Sequence, residues 1–112
     1  MAERQGELLQ GTLELLVLKA LSLGPMHGWG LAQRIEQMSQ DVFRVTQGSL
    51  YPALQRMKRK GWIRSEWRVT ENNRRARYYM LTPAGARQLE REQEDWARAS
   101  EAVNRVLGWE GA

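Results

Sequence analysis

Apolar positions from Leu8 to Leu23 recur at helical spacing. Leu9, Leu13, Leu16, Ala20 and Leu23 follow one another at steps of three and four, which predicts a first helix. Leu15 and Leu18 add a second apolar face, as in a helix packed between two neighbours. Gly24-Pro25 ends it, since glycine favours the left-handed exit and proline cannot continue a helix. A second helix is expected from about His27 to Ser39, with Leu31, Ile35 and Met38 inward. Gly28 and Gly30 in its first turn are poor helix formers and point to a close approach there.

After a connector, Gln40 to Val45, a third helix begins with either Thr46 or Ser49 as its N-cap. With Ser49 as cap, Pro52 falls in the first turn, where its missing N–H is harmless. With Thr46 as cap, the helix should kink near Pro52. Leu50, Leu54 and Met57 make the inward stripe. Tyr51, Gln55 and Arg59 fall near the opposite side, with Arg56 beside them. Gly61 is the stop.

The period then changes to two. Ile63, Ser65, Trp67 and Val69 share one face, and Arg64, Glu66 and Arg68 the other, which predicts a half-buried strand. Thr70-Glu71-Asn72-Asn73 has turn chemistry, because asparagine tolerates the left-handed region. Arg74-Arg75-Ala76-Arg77 runs into a second strand, Tyr78-Tyr79-Met80-Leu81, so the pair reads as a hairpin with a basic tip. Thr82-Pro83 opens a last helix that extends to about Leu107. Leu89, Trp96 and Val103 are spaced by seven along it, and Ala86, Ala99 and Val106 supplement the stripe. The order is α-α-α-β-β-α: a mainly α (α+β) chain, a winged helix-turn-helix with one helix added. Residues 1–81 read as the winged unit and 82–112 as a C-terminal dimerisation helix, the whole forming one compact body.

Composition removes most alternatives. A chain of 112 residues has room for one domain. There is no cysteine, which excludes disulfides, thiolate zinc sites and a cysteine nucleophile. His27 is the one histidine, and at a helix start beside Gly28 it reads as a cap or turn residue. Ser49 has no apparent His/Asp support, and neither a phosphate-binding glycine loop nor an HExxH motif occurs. The chain is therefore expected to be no enzyme and to need no cofactor or metal. The first ten residues are not an apolar export signal, and the longest apolar run is far too short to span a bilayer. A cytoplasmic protein with no membrane partner is expected.

Charge is unevenly placed. The formal net charge is only +4. Residues 44–77 hold ten arginines and lysines against Glu66 and Glu71, a net of +8, which leaves −4 for the rest. The excess sits on the third helix and hairpin, the two elements a winged helix lays on DNA. Double-stranded DNA is therefore the expected partner. On the helix, Gln47, Ser49 and Gln55 suit base edges, Arg56 and Arg59 suit phosphates or a guanine, and Tyr51 offers a hydroxyl to a phosphate. On the hairpin, Asn72, Asn73, Arg74, Arg75 and Arg77 suit the backbone or a narrow minor groove. The stripe of the last helix predicts a homodimer, with the first helix completing the seam. Its expected interface is Leu9, Leu13, Leu16, Leu89, Trp96, Val103 and Val106. The reading from another class is a winged helix used for protein–protein interaction without specific DNA binding.

Several segments resemble the PadR family of bacterial transcriptional regulators. These are Leu9-Gln10-Gly11-Thr12-Leu13-Glu14-Leu15-Leu16-Val17-Leu18, Gly24-Pro25-Met26-His27-Gly28-Trp29, Gln47-Gly48-Ser49-Leu50-Tyr51-Pro52-Ala53-Leu54 and Arg74-Arg75-Ala76-Arg77-Tyr78-Tyr79-Met80-Leu81-Thr82. The likeness covers about residues 8–107, and the single C-terminal helix matches the short subfamily. It implies a homodimeric repressor in the bacterial cytoplasm, associated with the nucleoid, acting on inverted repeats with ATGT and ACAT half-sites. It also implies release by a small aromatic effector in some members, with Trp96 where an effector-contacting aromatic would stand. Trp29 departs from the tyrosine more usual after His-Gly.

Overall fold

The computed structural model describes residues 2–111, with the side chains of residues 12–111. Its elements are α1 (Ala2–Ser22), β1 (Met26–His27), α2 (Gly28–Met38), α3 (Gln47–Arg59), β2 (Ile63–Val69), β3 (Arg75–Leu81) and α4 (Pro83–Leu107). The helical periods and the alternating hairpin of the sequence are all present, so the chain is a winged helix-turn-helix with an added C-terminal helix.

The helix starts are set by side-chain caps. His27 accepts the Gly30 N–H on Nδ1 at 3.0 Å, which makes it the N-cap of α2. Of the two caps open for α3, Thr46 is the one used: its Oγ1 accepts from Ser49 N at 3.2 Å. Pro52 consequently lies inside the helix, where it withholds the bond that Gly48 would otherwise receive. Thr82 caps α4, accepting from Gly85 N at 3.0 Å, and its hydroxyl donates to the Gly61 carbonyl at 2.6 Å. That second bond ties the start of α4 to the turn after α3. Gly61 itself has φ 78, a conformation that a Cβ disfavours.

A strand absent from the sequence reading joins the sheet. Met26 and His27 pair antiparallel with Tyr79 and Tyr78, giving a three-stranded sheet ordered β1-β3-β2. β2 pairs with β3 from Ile63↔Leu81 out to Val69↔Arg75. The core lies where α1, α2 and α3 meet the base of this sheet. Leu13, Val17, Leu18, Leu31, Leu50, Leu54 and Met57 are buried there, together with Ile63 and Tyr79. Truncating one of these leucines to alanine typically costs about 2–5 kcal/mol.

The wing outruns that core. Ile63 is buried, but Trp67 is 55% and Val69 63% exposed, so only the base of the expected half-buried strand is covered. Two residues expected at a dimer seam are also placed differently. Leu13 is 2% and Leu89 8% exposed inside the protomer, because the first turns of α4 pack on α1 and the sheet. They stabilise one chain and are not available to a second.

Candidate nucleic-acid interface

α3 is held by its apolar stripe, so its opposite side is free. Leu50, Ala53, Leu54 and Met57 are buried. Gln47, Ser49, Tyr51, Gln55 and Arg59 are exposed. Gln47, Tyr51, Gln55 and Arg59 are four residues apart and form one ridge along the helix. The glutamines can each donate and accept, and the arginine can reach a guanine or a phosphate. Arg56 is placed otherwise. Its Nε donates to Glu14 at 3.0 Å, with Lys60 on the other carboxylate oxygen at 3.5 Å. Glu14 is mostly buried on α1, so Arg56 ties α1 to α3 through its Nε while its side chain stays about one-third exposed beside the ridge.

Tyr51 serves both fold and surface. Its ring lies against Gly28, where a Cβ would come within 2.6 Å of the hydroxyl oxygen. The close approach expected from the glycines of α2 is thus made, at Gly28, by a tyrosine of α3. Tyr79 is buried nearby. Burial pushes its phenol above the ordinary value, the neighbouring Tyr51 adds to the rise, and Arg77 opposes it.

The wing tip is ordered by its own backbone. Thr70 and Arg74 close the loop through Thr70 N to Arg74 O at 2.6 Å, and Asn73 N donates to Thr70 O at 3.0 Å. Asn73 sits at φ 59, the left-handed position expected of an asparagine turn. Asn72, Asn73, Arg74, Arg75 and Arg77 are all exposed. Among the described residues, no carboxylate lies within ion-pair distance of Arg59, Arg74, Arg75 or Arg77. Arg68, on the other face of the sheet, is paired with Glu66 at 2.6 Å. The exposed ridge of α3 and the wing tip therefore carry cations without counter-charge, which is how a surface is left that meets phosphates.

Residues 17–91 match the model of the transcriptional regulator PadR-like family. The chain belongs to the PadR-like family of transcriptional regulators. It is 34% identical over 102 residues to a transcriptional regulator of Mycobacterium tuberculosis, covering 91% of this chain and 89% of that protein. The crystal structure of a PadR-like transcriptional regulator from Bacillus cereus superposes with a TM-score of 0.80 at 29% identity, over 93% of this chain and 99% of that one. It is also 43% identical over 90 residues to a 37.1 kDa protein in a transposon of Streptomyces fradiae. That match covers 80% of this chain, which spans 24% of that relative's length. The family and the named regulators are transcriptional regulators, not enzymes. No described helix of this PadR-like chain is long and apolar enough to cross a membrane.

Two further features of the PadR-like chain lie away from the cationic surface. Beyond Leu89, α4 leaves the core, and Trp96, Val103, Val106 and Leu107 are 54–77% exposed. Beside Trp96 an apolar hollow of about 540 Å³ is walled by Leu15, Leu16, Phe43 and Trp96, with Lys19 and Gln93 also lining it. Leu16 is thus half-buried at the edge of the exposed stripe, and the expected seam at Leu9 falls outside the described side chains. Phe43 comes from the connector before α3 and belongs to no periodic pattern, so nothing in the sequence marks it as a wall of this hollow. Strand alternation puts Trp67 on the face of Ile63, but it gives the face of a residue and not how far the core extends along it.

Proposed function

We propose that this PadR-like chain is a sequence-specific DNA-binding repressor that works as a homodimer on an inverted repeat. α3 enters the major groove with Gln47, Ser49, Gln55 and Arg59 toward the bases, and Tyr51 toward the backbone. The wing residues Asn72, Asn73, Arg74, Arg75 and Arg77 take the flanking phosphates or the minor groove. The observation that carries this reading is the set of cations on the α3 ridge and the wing that have no carboxylate partner among the described residues, in a chain that is net acidic outside residues 44–77. Residues 1–81 serve as the DNA-binding unit and residues 82–112 as the dimerisation helix. The second copy covers the stripe of Trp96, Val103 and Val106, with Leu16 at its edge. Two-fold symmetry then sets two recognition helices about one helical turn apart, which suits a pseudo-palindrome.

The test is binding to an ATGT–ACAT inverted-repeat duplex by wild type and by the double variant Arg74→Ala, Arg75→Ala. The double variant is expected to bind more weakly at every salt concentration and with a shallower salt dependence. Equal affinity of the two proteins would contradict the reading.

The hollow beside Trp96 supports a finer part of the proposal: a small planar aromatic effector lodges there and releases the DNA. It can do so only by favouring a dimer geometry in which the recognition helices no longer match the operator. Tryptophan fluorescence titrations of wild type and Trp96→Ala with planar aromatic compounds test this. The absence of any compound that alters both fluorescence and DNA affinity would remove it.

A further inference from the structure

The outer half of the wing has one aromatic ring and two guanidiniums on the same face. β2 and β3 pair Trp67 directly with Arg77, and Arg75 lies one diagonal step away toward the tip. Both turn their guanidiniums onto the indole: the Arg75 Cζ is 5.2 Å and the Arg77 Cζ 5.0 Å from the Trp67 ring centroid. Neither is paired with a carboxylate among the described residues. Trp67 is more than half exposed, so the core does not explain an indole there.

The two faces of the wing are electrostatically different. On the other face Arg68 lies over the Tyr78 ring at 5.4 Å, but its charge is answered by Glu66. On the Trp67 face the two arginines are exposed and have no carboxylate partner among the described residues. The base of that same face bears Tyr79, buried and paired across the ladder with Ser65. Tyr79, Arg77 and Arg75 therefore follow one another along β3 on the Trp67 face, from the buried base toward the tip.

Two free arginine side chains on an exposed strand would each sample many rotamers, and ordering them on a ligand carries an entropic penalty. An indole face holds a guanidinium flat by cation–π attraction without using its N–H donors. We propose that Trp67 is a positioning residue of the wing, a shelf that holds Arg75 and Arg77 side by side and in advance on the DNA-facing side. This rests on the DNA reading above and deepens it. The indole itself touches no DNA. It reduces the ordering that the two arginines must undergo on binding, and it selects the face of the wing presented to the duplex.

The experiment is a double-mutant cycle on the full chain, read with a fluorescein-labelled ATGT–ACAT duplex at low salt. Trp67→Ala is expected to weaken binding about threefold to tenfold in the wild-type background. It should have no effect in the background of Arg75→Ala with Arg77→Ala. Trp67→Phe, which keeps an aromatic face, should restore most of the loss. A measurement without DNA runs beside it: the side-chain protons of Arg75 and Arg77 should show upfield ring-current shifts in NMR spectra that vanish in Trp67→Ala. A Trp67→Ala effect that persists when both arginines are gone would mean that the indole contacts DNA directly, and would overturn the shelf. So would unshifted arginine protons in the wild type. If wild type binds no duplex at low salt, the DNA reading itself falls. If it binds and the cycle shows no coupling, the shelf alone falls.

Discussion

Val103→Asp isolates the proposed dimer seam from the fold of the protomer. Val103 stands on α4 well past Leu89, the last residue of that helix in the core, and it is 54% exposed in one chain. Full burial of a valine stabilises by about 1.5–3 kcal/mol, so covering this half-exposed side chain contributes roughly 1 kcal/mol per copy. The aspartate loses that contribution in both chains. It also sets two carboxylates in or near a desolvated seam, at an effective penalty of several kcal/mol. A total of about 5 kcal/mol raises the dimer dissociation constant by three to four orders of magnitude. Sedimentation equilibrium over a concentration series reads this directly. Far-ultraviolet circular dichroism of the variant should retain the helical signal, because the side chain makes no part of the core. A variant that dimerises as tightly as wild type would refute the placement of the seam on the Trp96–Val103–Val106 stripe.

Other substitutions probe the frame that carries the DNA surface. Gly85→Ala would drive a Cβ into the carbonyl of Trp62, which is backbone and cannot yield easily; a loss of about 3 kcal/mol and a correspondingly lower Tm are expected in thermal unfolding. Tyr79→Phe should flatten stability at alkaline pH. The folded-state pKa of Tyr79 is raised above the ordinary 10.0, so its neutral-form contribution is complete below that value and is lost as pH rises through the raised one. Urea unfolding of both proteins on either side of that window checks the sign; wild type that gains stability there would contradict it.

The helices were legible because their apolar residues recur at three and four and their ends carry Gly24-Pro25, Gly61 and Thr82-Pro83. The cationic ridge was legible because opposite sides of a helix follow from its period once the buried stripe is known. What remained hidden depended on tertiary partners. β1 is two residues long, too short to show a period, and exists because β3 offers a free edge. Leu13 and Leu89 had the spacing of a dimer seam, yet the α1–α4 contact takes them inside one chain, and only the positions beyond Leu89 stay free. Arg56 has the angle on α3 expected of a DNA-facing residue, and its bond to Glu14, forty-two residues earlier, shows in no local pattern. The choice between Thr46 and Ser49 as cap was open in the sequence because both hydroxyls suit the position. It is resolved by Thr46, whose Oγ1 both accepts from the Ser49 N–H and donates to the Ser49 hydroxyl.

DNA selection followed by a salt titration tests the proposed function most directly. A random duplex pool is enriched with the purified protein, and the affinity of the winning sequence is measured over a range of salt concentrations. An inverted repeat should emerge, bound by two chains. With about four phosphate contacts per chain, log K should fall against log salt with a slope of roughly −7. A pool that yields no common sequence, or an affinity that does not change with salt, would contradict a dimeric repressor reading DNA through α3 and its arginine-bearing wing.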